Sequence, residues 1–398
     1  MSGRTPTLLL QANGFRWHHI LNDTLTLGVL GLRRGIVLPS PLRRFRLLDR
    51  AISQRDRYAA LGYVGDWVEA FREDPRLAVD ECNINDLVDF RRHRRAIAEC
   101  PLVVVMHSAL GDSAAILSRT ANWFQGRRGK LIVFVGNEYD LMPQKLAFLR
   151  ESGADYVCSQ LPAVAAAWLY AGLPARVLSA PHACNPRVYR ATTPPEQRTT
   201  DIGFVGSLYP WFIGDTERND LVSWFRDQGA AHGLRCDIRT ETVPRDEWVV
   251  LLNSFRGLIG AEAGTYYLER TGDTIRAVRS WLRSHPEATF GEVHQRFFAG
   301  RSPAISGKAI SSRHFEAVGT RTCQLLVEGE YNGILKAGEH YIPVRRDLAD
   351  VGEALRRFRD EGERRRIVAA AHAWVAAAHT YRHRVSAILA AVGLPPRP

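Results

Sequence analysis

Two carboxylates, those of Glu316 and Glu262, are the side chains of this sequence best suited to chemistry. Glu316 lies within ISSRHFEAVGTRTCQLLVEGEYNG, residues 310–333. In this segment two serines precede a predicted short helix over residues 313–318, and a predicted buried strand follows. Such a helix directs its positive end at a phosphate. With Ser312 as the N-cap, Glu316 falls one residue beyond the capping-box position, so its carboxylate is free to accept hydrogen bonds from ribose hydroxyls. The segment predicts a nucleotide-sugar site; an acid that only stabilises the helix dipole is the alternative.

Glu262 is the second of these carboxylates. It follows the apolar strand at residues 257–260, and Ala261, Ala263 and Gly264 leave little bulk beside it. Ligands of open α/β sheets bind beyond the carboxyl ends of the strands, so polar residues at such ends are functional candidates. An ordinary turn glutamate is the alternative interpretation.

Three further positions in the same half of the chain suit a diphosphate. Gly206 and Ser207 end an apolar strand, where small residues let the backbone approach a phosphate closely. Arg218 falls on the first turns of the next predicted helix and could clamp a diphosphate through charge-assisted hydrogen bonds. A tight turn and a surface arginine are the alternatives.

In the first half of the chain, two apolar strands end in polar residues that would line the same cleft. His107 ends VVVMHS and could orient a sugar hydroxyl or carry a proton near neutral pH, so we predict a catalytic position for it. A structural histidine is the alternative. Asn137 and Glu138 end FVGNE and are predicted on the acceptor side. His18 and His19 give no convincing metal set.

The order and spacing of five segments resemble the C-terminal half of the GT-B glycosyltransferases, of the glycosyl transferases group 1 kind. The resemblance covers about residues 201–392, and its segments are IGFVGSLY at Ile202, GAEAG at Gly260, SSRHFEAVGTRTCQLL at Ser311, EGEYNGILKAGEHYIPV at Glu328 and HTYRHR at His379. It implies that the second domain holds a nucleotide-sugar donor, with Glu316 on the ribose and arginines on the diphosphate. The predicted donor-binding residues are Gly206, Ser207, Arg218, Arg313, Glu316, Tyr331 and Gly333.

One departure from the family pattern bears on mechanism. Relatives with a Glu-x7-Glu pair would carry a carboxylate seven residues before Glu316, where this chain has Ala309. We predict that Glu262 takes the place of that glutamate as a catalytic residue, the intervening loop having expanded into a helical insertion at about residues 266–308. The resemblance also implies retention at the anomeric carbon.

The pattern of strands and helices predicts an α/β fold with two doubly wound, Rossmann-like domains facing a cleft. Apolar strands alternating with amphipathic helices begin near residue 101 and again near residue 201, which is typical of parallel sheets covered on both faces. The resemblance adds a C-terminal helix that crosses back to the first domain. The predicted domains are residues 1–190 on the acceptor side, of which 1–60 are poorly readable, and residues 201–398; residues 191–200 are the linker.

Length and composition limit the class of protein. A chain of 398 residues with 45% hydrophobic content is long enough for two domains. It contains no run of 18 apolar residues and no signal-like start, which predicts a cytoplasmic protein. The six cysteines include no Cys-x-x-Cys pair and are interpreted as reduced packing thiols. Without an Asp-x-Asp pair, the sequence predicts no metal and no cofactor.

The net charge of +11 raises the question of nucleic acid or membrane partners. The basic cluster at residues 91–95 is interpreted as a solvated helix face. The chain lacks the interleaved aromatic and basic residues of a single-strand platform, so no nucleic-acid partner is predicted. PLRRFRLL, residues 41–48, could rest on an anionic leaflet, which predicts a weak peripheral contact at the inner face of the plasma membrane.

Residues and resemblance together predict a hexosyltransferase-like enzyme that moves a sugar from a nucleoside diphosphate sugar to a hydroxyl of a glycan or lipid-linked acceptor. The predicted context is bacterial surface glycan or glycoconjugate synthesis, with a retaining and metal-independent mechanism. Two alternatives stay open: a non-catalytic nucleotide-sugar-binding protein, and a nucleotide-sugar epimerase of the same fold.

Overall fold

Two parallel β-sheets organise the chain in the computed structural model, which describes residues 3–12, 62–301 and 305–395. The strands of the first sheet are β1 (Thr5–Gln11), β2 (Leu77–Asn83), β3 (Leu102–Val105), β4 (Lys130–Phe134), β5 (Tyr156–Ser159) and β6 (Arg176–Ser179). They pair in the order β2-β1-β3-β4-β5-β6. All four residues of β3, LVVV, are buried, because helices cover both faces of the sheet.

The second sheet is also parallel throughout. Its strands are β7 (Thr200–Val205), β8 (Cys236–Arg239), β9 (Phe255–Gly260), β10 (Cys323–Val327) and β11 (Ile342–Val344). They pair in the order β11-β10-β9-β7-β8. Since the chain reverses its direction of winding inside each sheet, both domains are doubly wound, and the predicted fold is confirmed.

Helices connect the strands and cover the sheets. The first domain contains α1 (Gly62–Glu73), α2 (Leu87–Arg92), α3 (Arg94–Glu99), α4 (Ala115–Arg119), α5 (Met142–Glu151) and α6 (Ala163–Leu169). The rest of the described chain contains α7 (Glu217–Gln228), α8 (Arg245–Ser254), α9 (Asp273–Ser284), α10 (Phe290–Phe297), α11 (Ser312–Gly319), α12 (Val351–Arg359), α13 (Glu361–Ala378) and α14 (Tyr381–Ala391). The predicted domain boundaries at 190 and 201 stay predictions.

The sequence analysis found no strand before residue 101, whereas β1 and β2 lie there. β2 forms the sheet edge and carries Asp80 and Glu81, so its pattern has no continuous apolar run. β1 lies between β2 and β3, but it has only four consecutive buried residues. Charged residues therefore hid β2, and β1 was missed because it lies in the poorly readable first sixty residues.

The C-terminal helix crosses back to the first domain, as expected. Tyr381, Val385 and Leu389 of α14 pack in one core with Trp67 and Phe71 of α1. The crossing point is fixed by backbone hydrogen bonds: the Cys184 amide donates to the His379 carbonyl at 2.9 Å, and the Tyr381 amide donates to the Cys184 carbonyl at 3.1 Å. These bonds give the HTYRHR segment a structural role.

Several composition-based interpretations can be compared with the described residues. The four arginines at 91, 92, 94 and 95 are exposed, and all six cysteines are free, as expected. Within residues 3–12, 62–301 and 305–395, no helix is long and apolar enough to cross a membrane. The predicted membrane-contact segment, residues 41–48, and the pair His18 and His19 lie outside the described residues.

An insertion in the second domain, residues 264–308, reaches across the cleft. It leaves and returns at Ala263 and Ala309, whose backbones exchange two hydrogen bonds of 2.8 Å. From α9 within the insertion, Arg279 donates to both carboxylate oxygens of Asp140 in the first domain, at 2.8 and 2.7 Å. The two side chains are 7% and 10% exposed. The insertion therefore joins the domains through a buried ion pair.

Apolar contacts reinforce this connection. Leu268 and Ala309 belong to the hydrophobic core of the first sheet, although they lie in the second half of the chain. The Arg270 guanidinium packs on the Trp168 ring, with 4.9 Å to its centroid, and donates to the Trp168 carbonyl. Tyr139 packs against the core formed by α9 and α10. The two domains are thus held together at the insertion as well as at the C-terminal crossing.

Arg279→Ala should lower the free energy of unfolding by roughly 3–5 kcal/mol, because it leaves the buried Asp140 carboxylate without its ion-pair partner. The matched control is Arg276→Ala on the same helix, since Arg276 is 59% exposed and its loss should cost less than about 1 kcal/mol. Denaturant unfolding of the three proteins provides the measurement. Equal stabilities of the Arg276 and Arg279 variants would show that the pair does not hold the insertion in place.

Candidate active site

The helix that carries Glu316 starts one residue earlier than predicted. Ser311, not Ser312, is the N-cap of α11, and the Ser311 amide donates to Nδ1 of His314 at 3.0 Å. An imidazole here occupies the position that a glutamate takes in the usual capping box. His314 fills the capping position, so the Glu316 carboxylate is not used in the capping box.

Glu316 is buried between α11 and α8. Its exposure is 5%, and its Oε2 accepts a hydrogen bond of 2.7 Å from Nε1 of Trp248. Burial raises the pKa of Glu316, while the positive charge of Arg313 and the indole hydrogen bond act in the opposite direction. The carboxylate is therefore held by two side-chain donors, the Trp248 indole and Ser312, and it borders a pocket that contains further polar groups.

That pocket lies between the two domains. Its walls come from α1, α8, α11 and the segment that follows β8, and its lining includes Tyr63, Tyr189, Thr242, Val243, Arg245, Trp248, Arg313 and Glu316. Aromatic walls with one carboxylate suit a nucleoside, whose base stacks and whose ribose hydroxyls donate. Tyr63, Arg245 and Trp248 were missed in the sequence, since they reach this point only through tertiary packing.

A second, smaller pocket adjoins it at the carboxyl ends of β7 and β9. Arg218 and Arg313 both line it, together with Ser311 at the start of α11. The Arg218 guanidinium stacks 3.8 Å from the Tyr209 ring centroid, and that of Arg313 lies 5.4 Å from the Trp248 ring centroid. The charge of Arg313 interacts with the Glu316 carboxylate, and Nε of Arg218 has no hydrogen-bond partner within the described residues. Two guanidinium groups beside a helix N-terminus suit a diphosphate.

Gly206 contributes space rather than a hydrogen-bond donor. Its φ is +147°, and a Cβ added there would lie 2.7 Å from the Arg313 guanidinium. The Gly206 amide already donates to the Arg239 carbonyl at 2.9 Å. Glycine is thus required so that Arg313 can cross this strand end, and Ser207 follows it as an exposed residue.

Tyr331 and Gly333 lie in the turn that follows β10. The Tyr331 side chain is fully buried, and its hydroxyl donates to the Val327 carbonyl at 2.6 Å. Gly333 is exposed, with a φ of +69° and no atom near its missing Cβ. Between them, Asn332 donates to the Gln160 carbonyl of the first domain at 2.9 Å and accepts from the Ile310 amide at 2.8 Å. This turn therefore spans the cleft, a role that the sequence did not indicate.

Glu262 is close to position 309, as the hypothesis of a replacement requires, because its neighbour Ala263 pairs with Ala309. Its exposure is 6%, and its two carboxylate oxygens accept from the amides of Tyr331 and Glu330 at 2.7 and 3.3 Å. Burial raises the pKa of Glu262, while these amides act in the opposite direction. The carboxylate holds the turn after β10, and its sugar contact stays a prediction.

A buried cation that the sequence analysis did not select lies near Glu262. Lys308 is 3% exposed, and its Nζ is 2.8 Å from Oδ2 of Asp215 and 3.8 Å from Oε2 of Glu217. The ammonium also lies 4.6 Å from the Tyr266 ring centroid. Its positive charge lowers the cost of burying Glu262. Only its position next to Ala309 could have drawn attention to it.

His107 lies under α1 in a box of aromatic rings. It is 1% exposed, and neither ring nitrogen has a hydrogen-bond partner within the described chain. The ring centroids of Tyr63, Phe134 and His182 are 5.9, 4.8 and 5.6 Å away. Burial, with a contribution from His182, holds the pKa of His107 well below its usual range. The imidazole is thus neutral, and its catalytic role stays a prediction.

Asn137 and Glu138 follow β4 on the first-domain side. Glu138 is 4% exposed, and its carboxylate accepts from Ser159 at 2.6 Å, from the Gln160 amide at 2.8 Å and from Tyr170 at 2.5 Å. Asn137 has a positive φ of 46° and donates to Asp112. Both side chains hold the loop in shape, so a direct contact of either with an acceptor stays a prediction.

An ion cluster joins the domains beside the larger pocket. Arg245 of α8 pairs with Asp66 of α1 and, at 3.1 Å, with Glu69 on the same helix. Asn185 donates to the same two carboxylates at 2.7 and 2.8 Å. Burial raises the pKa of Asp66 to about 7, against the attraction of Arg245. The cluster positions α8, and with it Trp248 and the Glu316 carboxylate.

Comparison with known proteins finds one matching family and several similar folds. Residues 278–390 match the family described as Glycosyl transferase-like. The fold is similar to that of sucrose-phosphate synthase from Thermosynechococcus elongatus, with a TM-score of 0.50, 9% identity and coverage of 97% of both chains. It is also similar to HepE from Anabaena in complex with UDP-glucose, with a TM-score of 0.49, 11% identity and coverage of 98% and 100%.

No curated relative matches the chain by sequence. The resemblance to the GT-B glycosyltransferases is nevertheless confirmed by the family match and the fold, and the matched residues include α11 and Glu316. The prediction that the chain is an enzyme of the glycosyltransferase class agrees with the same match.

Asp66→Asn should change how stability depends on pH. The pKa of Asp66 is about 7 in the folded chain and 3.8 in its ordinary state. Between about pH 4 and pH 7 the folded state therefore keeps a proton that the unfolded chain releases, and the contribution of Asp66 to stability falls as pH rises. Denaturant unfolding at about pH 5 and pH 7 should show a smaller decline for Asp66→Asn than for the parent. Identical declines in the parent and Asp66→Asn would contradict the raised pKa.

Proposed function

We propose that this protein transfers a sugar from a nucleoside diphosphate sugar to a hydroxyl acceptor. One observation supports this most directly: Arg218 and Arg313 place two positive charges in a pocket next to the Glu316 carboxylate. A diphosphate matches the first feature, and ribose hydroxyls match the second. The two pockets share Arg313, so one ligand can occupy both.

The chemical step that needs help is departure of the nucleoside diphosphate, on which negative charge develops as the glycosidic bond breaks. Arg218, Arg313 and the free amides at the start of α11 are fixed in place before the reaction, so they stabilise that charge without reorganising. Burial lowers the pKa of Arg313, while Glu316 opposes this effect. An arginine keeps its charge under these conditions, because its ordinary pKa is far above neutral.

The finer points of the mechanism rest on the cleft residues. We propose that transfer proceeds with retention and without a metal, with Glu262 facing the transferring sugar and His107 on the opposite side of the cleft. The acceptor, a glycan or lipid-linked hydroxyl, would enter beside the loop of Asn137 and Glu138. A role in surface glycan synthesis at the cytoplasmic face of a membrane is compatible with the basic, partly apolar segment at residues 41–48.

A donor screen followed by one matched pair of variants tests the proposal. Thermal shifts with nucleoside diphosphates identify the base, since a ligand at 100 times its Kd stabilises by about 2.7 kcal/mol. Arg218→Ala should then weaken the best diphosphate by roughly 10- to 100-fold, as expected for one or two lost charge-assisted hydrogen bonds. Arg226→Ala, on the same helix and 50% exposed, is the control and should bind normally.

Calorimetry with the diphosphate and with the uncharged nucleoside distinguishes a loss of phosphate contacts from a general loss of nucleotide binding. Arg218→Ala should bind the nucleoside as the parent does. Equal diphosphate affinity in the Arg218 and Arg226 variants would refute the phosphate assignment. Without an acceptor, a transferase should hydrolyse the sugar donor slowly. A non-catalytic binding protein would bind the donor and leave it intact, and an epimerase would convert it to another sugar.

Glu262→Gln tests the predicted replacement of the missing glutamate. If the carboxylate stabilises the transferring sugar, turnover with the intact donor should fall by roughly 10²-fold, in the range of a positioned polar group, while affinity for the free diphosphate stays unchanged. The control is Glu330→Gln, because Glu330 lies in the same turn after β10 and its side chain is exposed. If Glu262 only holds the turn after β10, the variant should instead lose stability or bind both ligands equally weakly.

A further inference from the structure

A thiol, a carboxylate and an imidazole meet at the outer edge of the first sheet. Cys82 lies near the end of the edge strand β2, Asp89 lies on α2, and His93 ends that helix. One ligating atom from each lies within 4.8 Å of the other two. Asp89 and His93 are four residues apart, which places them on one face of the turn.

We propose that Cys82, Asp89 and His93 bind a divalent cation of the zinc class. Sulfur, nitrogen and oxygen donors in one tetrahedral site are typical of Zn²⁺, whereas Mg²⁺ and Ca²⁺ prefer oxygen alone. Bonds of about 2.0–2.3 Å to a tetrahedral ion separate the ligand atoms by roughly 3.3–3.8 Å. Small side-chain rotations would bring the three groups into that range.

Both ring nitrogens of His93 lie close to oxygen atoms. Nδ1 is 2.9 Å from the Asp89 carbonyl oxygen and 3.4 Å from Oδ1 of Asp89, and Nε2 is 3.4 Å from Oδ2 of Asp80. A backbone carbonyl that fixes the tautomer of a metal-bound histidine is a common supporting contact.

The backbone holds each ligand in place. Cys82 is paired in register with Leu10 of β1, and its side chain is fully buried. Asp86 caps α2 by accepting from the amides of Val88 and Asp89 at 3.2 and 3.1 Å. The Asp89 and His93 side chains are 35% and 18% exposed, so an ion can reach the site from solvent.

The metal ligand would be the thiolate of Cys82, so its proton must leave when the ion binds. Binding replaces the sulfur–hydrogen bond by a sulfur–metal bond and releases one proton per ion to solvent.

The sequence analysis predicted no metal, because Cys82, Asp89 and His93 do not follow a familiar ligand spacing. The proposed cation lies at the sheet edge, outside the pockets assigned to the donor, so a metal-independent transfer reaction is compatible with it. This inference does not depend on the proposed function.

Cobalt binding to the tag-free, chelator-treated full chain tests the site. Co²⁺ should bind one ion per chain, and its bond to sulfur should produce a thiolate-to-cobalt charge-transfer absorption in the near ultraviolet. Zn²⁺ should displace the cobalt and abolish the absorption, whereas a large excess of Mg²⁺ should not. Cys82→Ser should lose the absorption, and Cys236→Ser, on the second sheet, should keep it.

His93→Ala provides the second variant, since its side chain is near the surface and the substitution leaves the buried thiol intact. It should weaken Co²⁺ binding by roughly tenfold or more. Absence of a charge-transfer absorption in the parent, or its persistence in Cys82→Ser, would overturn the proposal. An unchanged cobalt affinity in His93→Ala would do the same, and the His93 contacts with Asp80 and Asp89 would then be simple ion pairs of an imidazolium.

Discussion

The buried ion cluster of Arg245 with Asp66 and Glu69 is the interaction on which the arrangement of the cleft depends. It connects α8 in the second domain with α1 in the first, and α8 carries the indole that orients Glu316. A displaced α8 would leave the Glu316 carboxylate without its indole donor. Since buried ion pairs contribute little net stability when complete and cost much when broken, the cluster determines geometry more than it increases stability.

The charges of the site divide into two groups by their partners. Its carboxylates are held by protein donors: Glu316 by an indole, Asp66 by a guanidinium and an amide, and Glu262 by two backbone amides. Two arginines, Arg218 and Arg313, face the smaller pocket. The site thus places two guanidinium groups beside hydrogen-bonded carboxylates, an arrangement that suits an anionic donor.

Sequence patterns found the residues that act through local structure and missed those that act through packing. Arg218 and Glu316 were identified because a strand end or a helix start defines their surroundings within a few residues. Arg245, Trp248 and Lys308 come from positions with no local signal, and only tertiary contacts bring them to the cleft. The N-cap was placed one residue too late because an imidazole can fill the acceptor position of a capping box. Edge strand β2 was missed since charged residues interrupt its apolar pattern.

The paired backbones of Ala263 and Ala309 have an evolutionary implication. The chain departs into the insertion and returns at adjacent points of the same short ladder, so a tight turn could close the gap without disturbing β9 or α11. The insertion can therefore change in sequence or length away from Leu268, Arg279 and Lys308 while the ladder is kept. Such changes would let a lineage of these proteins alter what approaches the cleft independently of what is bound within it.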